Sequence, residues 1–390
     1  MPAILEDEGM LEAFYTNIAG NLGLGSLLAP WSSLPFAPHS LSRLANRKVP
    51  ERIRKKTSTF PLPGVAFGVG KFLGSQDRTA SFRRHLRYSD DLGRAMVRKG
   101  FGDATHIYSM LGECGPLLAM AKARGLKVVS EVYILLSTER ILAEERLLFP
   151  DWEPDIPDYA AIRREVGDDD ALLRFTDYFI CPSEAVRDDL MENFAVRQEQ
   201  TTVVPYGVGP AWFAVPNEPI PGRILFAGTA ELRKGIHYLA RAAALLAEGG
   251  HHYEFRVAGN VAPSIATRED CRHLRFLGRL PRDQIREEFR RADLFVLPSL
   301  AEGSAEAIYE ALAAGLPVVA TRSTGSVLRD RQEGRLVPER DAEALAEAIE
   351  EIISDRVMRD RMARSGKERA YEFTWERYGE RLLTALRSLK

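Results

Sequence analysis

Six short apolar runs recur along the second half of the chain, and each of them ends in glycine, proline or threonine. They are ILFAG (224–228), FRVAG (255–259), LRFLG (274–278), LFVLP (294–298), PVVAT (317–321) and GRLVP (334–338). Uniformly apolar runs are typical of strands that are buried on both faces. Helical patterns separate several of them, over 235–248, 282–291, 304–314 and 341–353. The alternation predicts an α/β fold with a doubly wound parallel sheet, which binds ligands at the carboxyl ends of its strands.

The first half of the chain shows the same alternation with less regular spacing. Its predicted strands are 105–110, 126–132 and 177–183, and its predicted helices are 115–124 and 184–194. Because 390 residues are too many for one ordinary core, we expect two α/β domains.

The segment 210–222 is rich in proline and lacks periodicity, which is typical of an interdomain linker. It predicts an N-terminal domain over 1–210 and a C-terminal domain over 211–371. The last helix, 374–389, has apolar residues at helical spacing. We expect residues 372–390 to pack back on the N-terminal domain.

Composition argues against several classes of protein. The chain has no stretch of about 18 uncharged apolar residues, so a transmembrane helix is not expected. Its acidic start, MPAILEDEGM, lacks the apolar region of a secretory signal. The three cysteines lie far apart, and no Cys or His spacing suggests a metal site. We therefore expect a cytoplasmic protein without a metal or another cofactor.

Residues 294–321 combine a buried strand, a tight loop and an alanine-rich helix. The helix is predicted to start near Ser304 and to stop at Gly315. The free amides and the positive dipole end at its start suit an anion, above all a phosphate. Gly303, just before the helix, allows a ligand to approach the backbone closely.

Two glutamates flank this predicted anion site. Glu302 lies in the loop, and Glu310 lies in the helix, about 9 Å from its start. Carboxylates so placed can hold hydroxyl groups on either side of a diphosphate. The alternative is chance, because two glutamates eight residues apart arise in any acidic helix, and Glu306 shows how frequent acids are here. The complete pattern of strand, loop, helix and Gly-x-Pro favours the functional interpretation.

A second group of candidate residues follows the strand 224–228. Arg233 and Lys234 lie at its carboxyl end, where two cations can hold a diphosphate through charge-assisted bonds to its oxygens. The alternative is a solvated cation pair at a helix start. The positive end of the helix dipole repels cations at a helix start. Two cations at such an unfavourable position therefore indicate a function for them.

The segment PSLAEGSAEAIYE (298–310) resembles the donor-site signature of the retaining glycosyltransferases of family 4, which have the GT-B fold of two Rossmann-like domains across a cleft. The E-x7-E motif of that family matches Glu302 and Glu310. The resemblance implies that Glu302 contacts the transferred sugar and Glu310 the ribose hydroxyls. Where the family often has an aromatic residue and then proline, this chain has Ser304 and Ala305, which predicts a more open wall beside the sugar.

The resemblance also implies roles for residues outside this segment. Glu302, Lys234 and Arg233 would be catalytic, and Arg233 would supply the second cation because Thr229 replaces the usual arginine after the strand glycine. Arg279 and Leu280 would lie in the loop around the nucleotide base. The complete predicted donor set is Gly228, Thr229, Arg233, Lys234, Arg279, Leu280, Glu302, Gly303, Ser304, Ala305, Glu306 and Glu310.

The implied activity is transfer of a hexose from a UDP- or GDP-sugar to a glycan or lipid acceptor, with retention of configuration and without a metal. Two alternatives use the same residues. One is a catalytically weak protein that binds a nucleotide or a partner chain, and the other is a GT-B epimerase of nucleotide sugars.

The N-terminal domain gives weaker signals for the acceptor side. Glu131 ends a predicted strand and His106 lies in another; by resemblance either could contact substrate. The alternatives are a surface carboxylate for Glu131 and a packed ring for His106. The family has an apolar first strand and a glycine loop, whereas MPAILEDEGMLEAFYTNI reads as the end of a first helix followed by a second strand. We therefore expect the first strand to be missing or late.

The region 41–100 is strongly basic. It has 15 Lys and Arg against four acids, a net charge of +11, and it is interrupted by the apolar run FPLPGVAFGVGKFL (60–73). Basic residues beside apolar ones suit an anionic membrane surface at the inner face of the membrane, or a phosphate-bearing lipid acceptor. The alternative is a solvated rim. Nucleic-acid binding is not expected, because no aromatic stacking motif accompanies the charge.

Overall fold

The structure is a computed structural model that describes residues 1–33, 39–75, 77–111, 113–154, 156–166 and 170–389. The strands in these ranges are β1 (Phe14–Thr16), β2 (Thr57–Thr59), β3 (His106–Met110), β4 (Lys127–Glu131), β5 (Tyr178–Cys181), β6 (Thr201–Val203), β7 (Arg223–Ala227), β8 (Glu254–Ala258), β9 (Leu274–Gly278), β10 (Leu294–Leu297), β11 (Val318–Thr321) and β12 (Gly334–Val337).

The helices of the first half are α1 (Pro2–Asp7), α2 (Gly23–Leu28), α3 (His39–Asn46), α4 (Pro61–Leu73), α5 (Arg78–Lys99), α6 (Gly115–Ala123), α7 (Thr138–Leu148), α8 (Tyr159–Val166), α9 (Ala171–Phe175) and α10 (Glu184–Phe194). Those of the second half are α11 (Pro210–Phe213), α12 (Ile236–Glu248), α13 (Pro263–Ala266), α14 (Arg282–Arg291), α15 (Glu306–Ala313), α16 (Ala342–Ser354), α17 (Arg356–Ala370) and α18 (Trp375–Ser388).

Strands β7 to β12 form one parallel sheet in the order β12-β11-β10-β7-β8-β9. Each strand lies on one of the six apolar runs, so the predicted α/β class with a doubly wound parallel sheet is confirmed. The chain winds outward from β7 to β9, crosses back to β10 and winds outward again to β12. The direction of winding therefore reverses between the neighbouring strands β7 and β10. The loops that follow these two strands meet at the carboxyl edge of the sheet, where such folds bind ligands.

Contacts divide the chain into two compact units. Unit 1 is Met1–Glu131 with Asp155–Phe179, and unit 2 is Val132–Pro154 with Ile180–Lys390. These bounds differ from the predicted domains, because the contacts of 132–154 and of 180–210 lie with the C-terminal half. Helix α18 lies in unit 2, beside Val208, whose amide donates to the Phe373 carbonyl at 2.8 Å.

Unit 1 contains the parallel pairs β1–β2 and β3–β4. It begins with helix α1 and then strand β1, in the order that the sequence predicted for its start. Its apolar core is formed mainly by α5, α6 and β4, with Met96, Leu118 and Val128 among the buried side chains. The apolar run 60–73, for which the sequence predicted no element, folds largely as helix α4. Pro61 lies in the first turn of this helix.

A buried ion cluster in unit 2 joins the start of the main sheet to helix α17. Asp293 is fully buried just before β10, and its carboxylate pairs with Arg359 at 3.0 Å and Arg356 at 2.6 Å. It also accepts the Gly222 amide at 2.9 Å. The Arg359 side chain is 2% exposed and also contacts the exposed Asp360 at 3.1 Å. Burial lowers the pKa of Arg359, and Asp293 opposes that shift.

No helix within the described residues is long and apolar enough to cross a membrane.

Candidate functional site

Two loops meet where the winding of the main sheet reverses. The first, 228–235, follows β7, and the second, 298–305, follows β10. The Leu300 amide donates to the Arg233 carbonyl at 2.8 Å. Gly235 has a left-handed φ of +69°, and a methyl group there would lie 1.9 Å from the Pro298 carbonyl oxygen. Only glycine therefore allows the two loops to approach this closely.

An ion cluster lies at this junction and contains all three residues predicted as catalytic. Oε1 of Glu302 lies 2.8 Å from Arg233 Nη1 and 2.5 Å from Lys234 Nζ. Arg233 also pairs with Glu231 at 2.8 Å. Two cations and two carboxylates give the cluster no net charge. Burial works against the charge of Arg233, but Glu302 and Glu231 outweigh it and raise the pKa of its guanidinium.

The second loop leads into the start of helix α15. The helix begins at Glu306, two residues later than the predicted start at Ser304. The Ser304 hydroxyl does not cap the helix, because it donates to the Gly325 carbonyl at 3.0 Å and bonds the Tyr309 hydroxyl at 2.8 Å. Ala305 stands at the N-cap, and no side chain caps the first turn. Amides in an uncapped first turn are available to an anion.

Gly303 lies in a crowded position between these features. A methyl group there would lie 1.8 Å from the Tyr133 carbonyl oxygen and 2.3 Å from its carbon. The Gly303 carbonyl accepts the Ser183 hydroxyl at 2.5 Å. Neighbouring backbone thus fixes the path of the loop, which explains the need for glycine more directly than ligand access does.

We expect Gly303→Ala to lower the free energy of unfolding by about 1–3 kcal/mol, because backbone atoms must move to admit the methyl group. The matched control is Gly209→Ala, where a methyl group would meet nothing within 4 Å and φ is −75°. Thermal melting of both variants beside the wild type tests this. Equal melting temperatures for the two variants would contradict it.

Glu310 lies about one turn along α15, which begins at Glu306, and it is half-buried. Burial, reinforced by the nearby Glu306 carboxylate, raises its pKa to about 7, against opposing effects of Arg282 and the Trp212 side chain. Half of its population is therefore protonated near neutral pH. Such a carboxyl can either donate or accept a hydrogen bond to a hydroxyl group.

The remaining predicted donor residues lie around the same edge of the sheet. Gly228 and Thr229 begin the first loop, directly after β7, and Thr229 is exposed. Arg279 is exposed just beyond the end of β9, while Leu280 packs partly against the core of unit 2. No contact of either with the ion cluster is recorded among the described residues. Their assignment to a base-binding loop stays a prediction.

Sequence reasoning missed the support that residues 132–154 give to this site. Glu153 accepts the Leu232 amide of the first loop at 3.0 Å. Tyr133 packs its backbone against the position of Gly303. Both loops are thus held by one segment that the sequence placed in the other domain. No local sequence pattern indicates this role, because it depends on one carboxylate, Glu153, and on the backbone at Tyr133.

Glu145, in helix α7 of the same segment, is the centre of a buried hydrogen-bonding network. Its carboxylate is fully buried and lies 2.7 Å from each of His237 Nε2, the Tyr238 hydroxyl and Arg340 Nε. Burial opposes its ionisation, but these three groups together lower its pKa. His237 and Tyr238 lie in the first turn of α12, which follows the loop of Arg233 and Lys234. The network therefore holds the first turn of α12, the helix that directly follows Arg233 and Lys234 in the chain.

The two acceptor-side candidates lie in unit 1, at opposite ends of the β3–β4 pair. Glu131 ends β4 and is buried, so the alternative of a surface carboxylate is wrong; it accepts the Tyr108 hydroxyl at 2.5 Å. His106 begins β3 opposite Lys127 and is exposed, so the alternative of a packed ring is also wrong. The pair of strands separates the two side chains by about 13 Å along the strand direction.

Within the described ranges, no group of three or more His, Cys, Asp or Glu side chains could hold a metal ion. The positive charges of the site come from Arg233, Lys234 and the start of α15.

Comparison with known proteins matches residues 221–355 to the family model described as glycosyl transferases group 1. D-inositol 3-phosphate glycosyltransferase from Corynebacterium urealyticum is 31% identical over 187 residues, which is 44% of this chain and 44% of that protein. Glycogen synthase from Mycobacterium tuberculosis is 26% identical over 315 residues, covering 73% of this chain and 71% of that protein.

Among solved structures, Anabaena Alr3699/HepE in complex with UDP and glucose superposes with a TM-score of 0.60 at 18% identity, over 97% of this chain and all of that one. At this identity the likeness concerns the fold alone. That fold is of the GT-B type, with parallel sheets in separate Rossmann-like domains, as the resemblance implied.

Proposed function

Because residues 221–355 carry the glycosyl transferases group 1 domain on a GT-B fold, we propose that the chain transfers a sugar from a nucleotide diphosphate donor, with retention of configuration. The observation that supports this best is the ion cluster of Arg233, Lys234 and Glu302 beside the uncapped start of α15. Cations, a helix N-terminus and a buried carboxylate at the point of winding reversal form a site for a diphosphate that bears a hydroxyl-rich group.

In the proposed complex the diphosphate of the donor lies at the first turn of α15. Arg233 and Lys234 donate charge-assisted hydrogen bonds to its oxygens, and the α15 amides add the helix dipole. These groups supply positive charge without a metal. Glu302 then faces the sugar and Glu310 the ribose, as the resemblance implied.

The proposed reaction exchanges one bond at the anomeric carbon for another. The bond from this carbon to the diphosphate oxygen breaks, and the nucleotide leaves with the electron pair. The acceptor oxygen forms its new bond on the same face of the sugar, and its proton passes to the departing phosphate. Arg233 and Lys234 stabilise the charge that grows on that phosphate, which lowers the barrier to its departure.

We propose a glycan or a lipid-linked hydroxyl compound as the acceptor. The names of the two relatives point to inositol phosphate and to glycogen, both of which offer sugar-like hydroxyl groups. UDP is the first nucleotide to test, since Alr3699/HepE was solved with it.

A thermal-shift panel of UDP, GDP and ADP sugars tests the donor proposal. A donor at about 100 times its Kd should add about 2.7 kcal/mol to the free energy of unfolding. Failure of every member of the panel would reject the donor site. Consumption of the bound donor without added acceptor, with a changed sugar as product, would identify an epimerase instead. Binding without turnover toward any glycan or lipid acceptor would identify a nucleotide-binding protein.

The raised pKa of Glu310 gives donor binding a specific pH dependence. A carboxylate accepts hydrogen bonds from two ribose hydroxyls, whereas the protonated group must use one oxygen as a donor. With a pKa of about 7, ionisation rises steeply between pH 6 and pH 8. We expect the affinity for a nucleotide sugar, whose phosphates stay ionised throughout, to rise roughly tenfold over this interval.

Glu310→Gln is the control for this prediction, because it keeps the shape of the side chain and removes its titration. Isothermal calorimetry at several pH values should give a flat profile for the variant. The raised pKa of Glu310 affects the free energy of unfolding in the opposite direction. The protonated Glu310 stabilises the fold fully below the ordinary pKa of 4.5, and this stabilisation is lost as the pH rises through about 7. A wild-type affinity that is constant from pH 6 to pH 8 would contradict the ribose role.

A further inference from the structure

Helix α4 of unit 1 is mostly apolar, yet none of its 13 residues is buried. Its exposed side chains include Leu62 at 77%, Val65 at 49%, Val69 at 52%, Phe72 at 85% and Leu73 at 77% of their full area. Isolated exposed apolar residues are normal on a protein surface, but a contiguous patch marks an interaction site.

These five side chains lie on one face of the helix. At about 100° per residue they fall within an arc of about 100°, and the two residues next to that arc, Pro61 and Ala66, are also apolar. No charged residue falls inside it. The opposite face packs on α5, where the Phe67 ring lies 5.1 Å from that of Tyr88. Helix α4 is therefore anchored on one side and presents a purely apolar strip on the other.

A second exposed apolar strip belongs to helix α2 and the turn that follows it. In and after helix α2, Leu24 is 36% exposed, Leu27 70% and Trp31 61%, at helical spacing. Helix α2 begins at Gly23, where a methyl group would lie 3.3 Å from the Thr59 hydroxyl, two residues before α4. The start of α2 therefore lies close to the segment that leads into α4. We call the eight side chains of the two strips, Leu24, Leu27, Trp31, Leu62, Val65, Val69, Phe72 and Leu73, the apolar face.

Cations lie at both ends of the apolar face. Near α2, the exposed Arg47 and Lys48 follow α3, and the Arg47 carbonyl accepts the Gly20 amide at 2.8 Å. At the end of α4, the Arg84 guanidinium donates to the Ser75 carbonyl at 2.7 Å. These residues belong to the basic region 41–100, with its net charge of +11.

We propose that the apolar face docks on the surface of an anionic lipid bilayer. A helix of 13 residues is about 20 Å long, too short to cross a hydrocarbon core of about 30 Å, so it would lie in the plane of the interface. Helices that lie in the membrane interface typically combine an apolar strip with flanking cations. Tryptophan side chains, such as that of Trp31, are enriched at the depth of the lipid headgroups. A second copy of this chain fits less well, because it would bring two basic regions together. The apolar face belongs to unit 1 and the proposed donor site to unit 2, and docking on a membrane does not require sugar transfer.

Vesicle co-sedimentation of the full chain tests the proposal without any donor or acceptor. We expect binding to vesicles of phosphatidylcholine with about 30% phosphatidylglycerol, weaker at high salt, and at least tenfold less binding to phosphatidylcholine alone. Trp31 gives an independent signal: its emission should shift to the blue on binding, and Trp31→Phe should lose that shift. Retention of the wild type in the supernatant with both vesicle types would overturn the proposal.

The double variant Leu62→Asp/Phe72→Asp should reduce binding to the anionic vesicles at least tenfold. Its matched control is Leu147→Asp/Val357→Asp, which adds the same charge at residues of unit 2 that are 84% and 78% exposed. The control should bind as the wild type does, and all proteins should melt alike. Equal losses in both double variants would show that bulk charge alone drives binding and would overturn the proposal. Lipid-free dimers of the wild type that the Leu62→Asp/Phe72→Asp variant cannot form, with no vesicle binding, would assign the face to a second copy of the chain.

Discussion

Glu302→Gln is expected to bind a nucleoside diphosphate more tightly than the wild type does, yet to transfer its sugar about a hundredfold to a thousandfold more slowly. The carboxylate of Glu302 pairs with both Arg233 and Lys234. Its neutralisation leaves these cations with Glu231 alone, so the net charge of the cluster changes from zero to +1. Affinity for an anion should then rise roughly fivefold to tenfold, which corresponds to about 1 kcal/mol. Turnover should fall because a charge close to the reacting sugar is lost.

Lys234→Gln supplies the opposite test within the same cluster. It changes the net charge to −1 and should weaken nucleotide binding roughly tenfold or more, with a loss of turnover as well. Glu248→Gln, an isosteric change at an exposed residue at the end of α12, should alter neither property. Calorimetry gives the affinities, and release of nucleotide from a donor sugar gives the rates. If Glu302→Gln keeps its turnover within tenfold of the wild type, Glu302 does not act on the sugar. If Glu302→Gln and Lys234→Gln both weaken binding, the cluster is a structural support.

Asp293→Ala is expected to lower the free energy of unfolding by about 3–5 kcal/mol. Asp293 is fully buried, and its removal leaves the Arg359 guanidinium, 2% exposed, without its buried counter-charge. The Gly222 amide also loses its acceptor. Of the four tryptophans, Trp152, Trp212 and Trp375 lie in unit 2, so fluorescence during urea unfolding follows the affected unit.

Asp360→Ala is the matched control, because Asp360 contacts the same guanidinium at 3.1 Å but is 53% exposed. An exposed partner contributes little, so this variant should lose less than about 1 kcal/mol. Adding Arg359→Met to Asp293→Ala should recover part of the stability, since the unpaired charge is then gone. If Asp293→Ala and Asp360→Ala lower the free energy of unfolding by the same small amount, then groups other than Asp293 compensate the charge of Arg359.

The sequence predicted best those elements whose ends have local causes. Helix α14 begins and ends at the predicted residues 282 and 291, between Pro281 and the extended Ala292. Helix α10 also has its predicted bounds, because Ser183 caps its first turn. Each strand of the main sheet coincides with its apolar run to within one residue at its start, since burial on both faces leaves a strong signal in composition.

The predictions failed where distant partners decide the structure. Helix α15 begins at Glu306, two residues after Ser304, and the Ser304 hydroxyl bonds Gly325 and Tyr309 instead of capping the helix. Residues 132–154 belong with the C-terminal half because Glu153 accepts the Leu232 amide and Glu145 pairs with His237. No local sequence pattern predicts these long-range contacts. In the candidate site, the sequence predicted Arg233, Lys234 and Glu302, and the structure brings these side chains together at the ends of two neighbouring strands. The sequence did not predict Glu231, because an acid beside a cation pair has no distinctive pattern.

The pairing of Glu145 has a consequence for the order in which this chain can acquire its structure during synthesis. His237 and Arg340 lie 92 and 195 residues further along the chain than Glu145. At about 5–20 residues per second, a ribosome adds Arg340 about 10–40 s after Glu145. Until His237 and Tyr238 are added, the Glu145 carboxylate of the nascent helix α7 has none of its three partners, and it lacks the Arg340 guanidinium for the whole of that time. The donor half can therefore close around α7 only near the end of translation, and a fragment that begins at residue 211 would never acquire that segment.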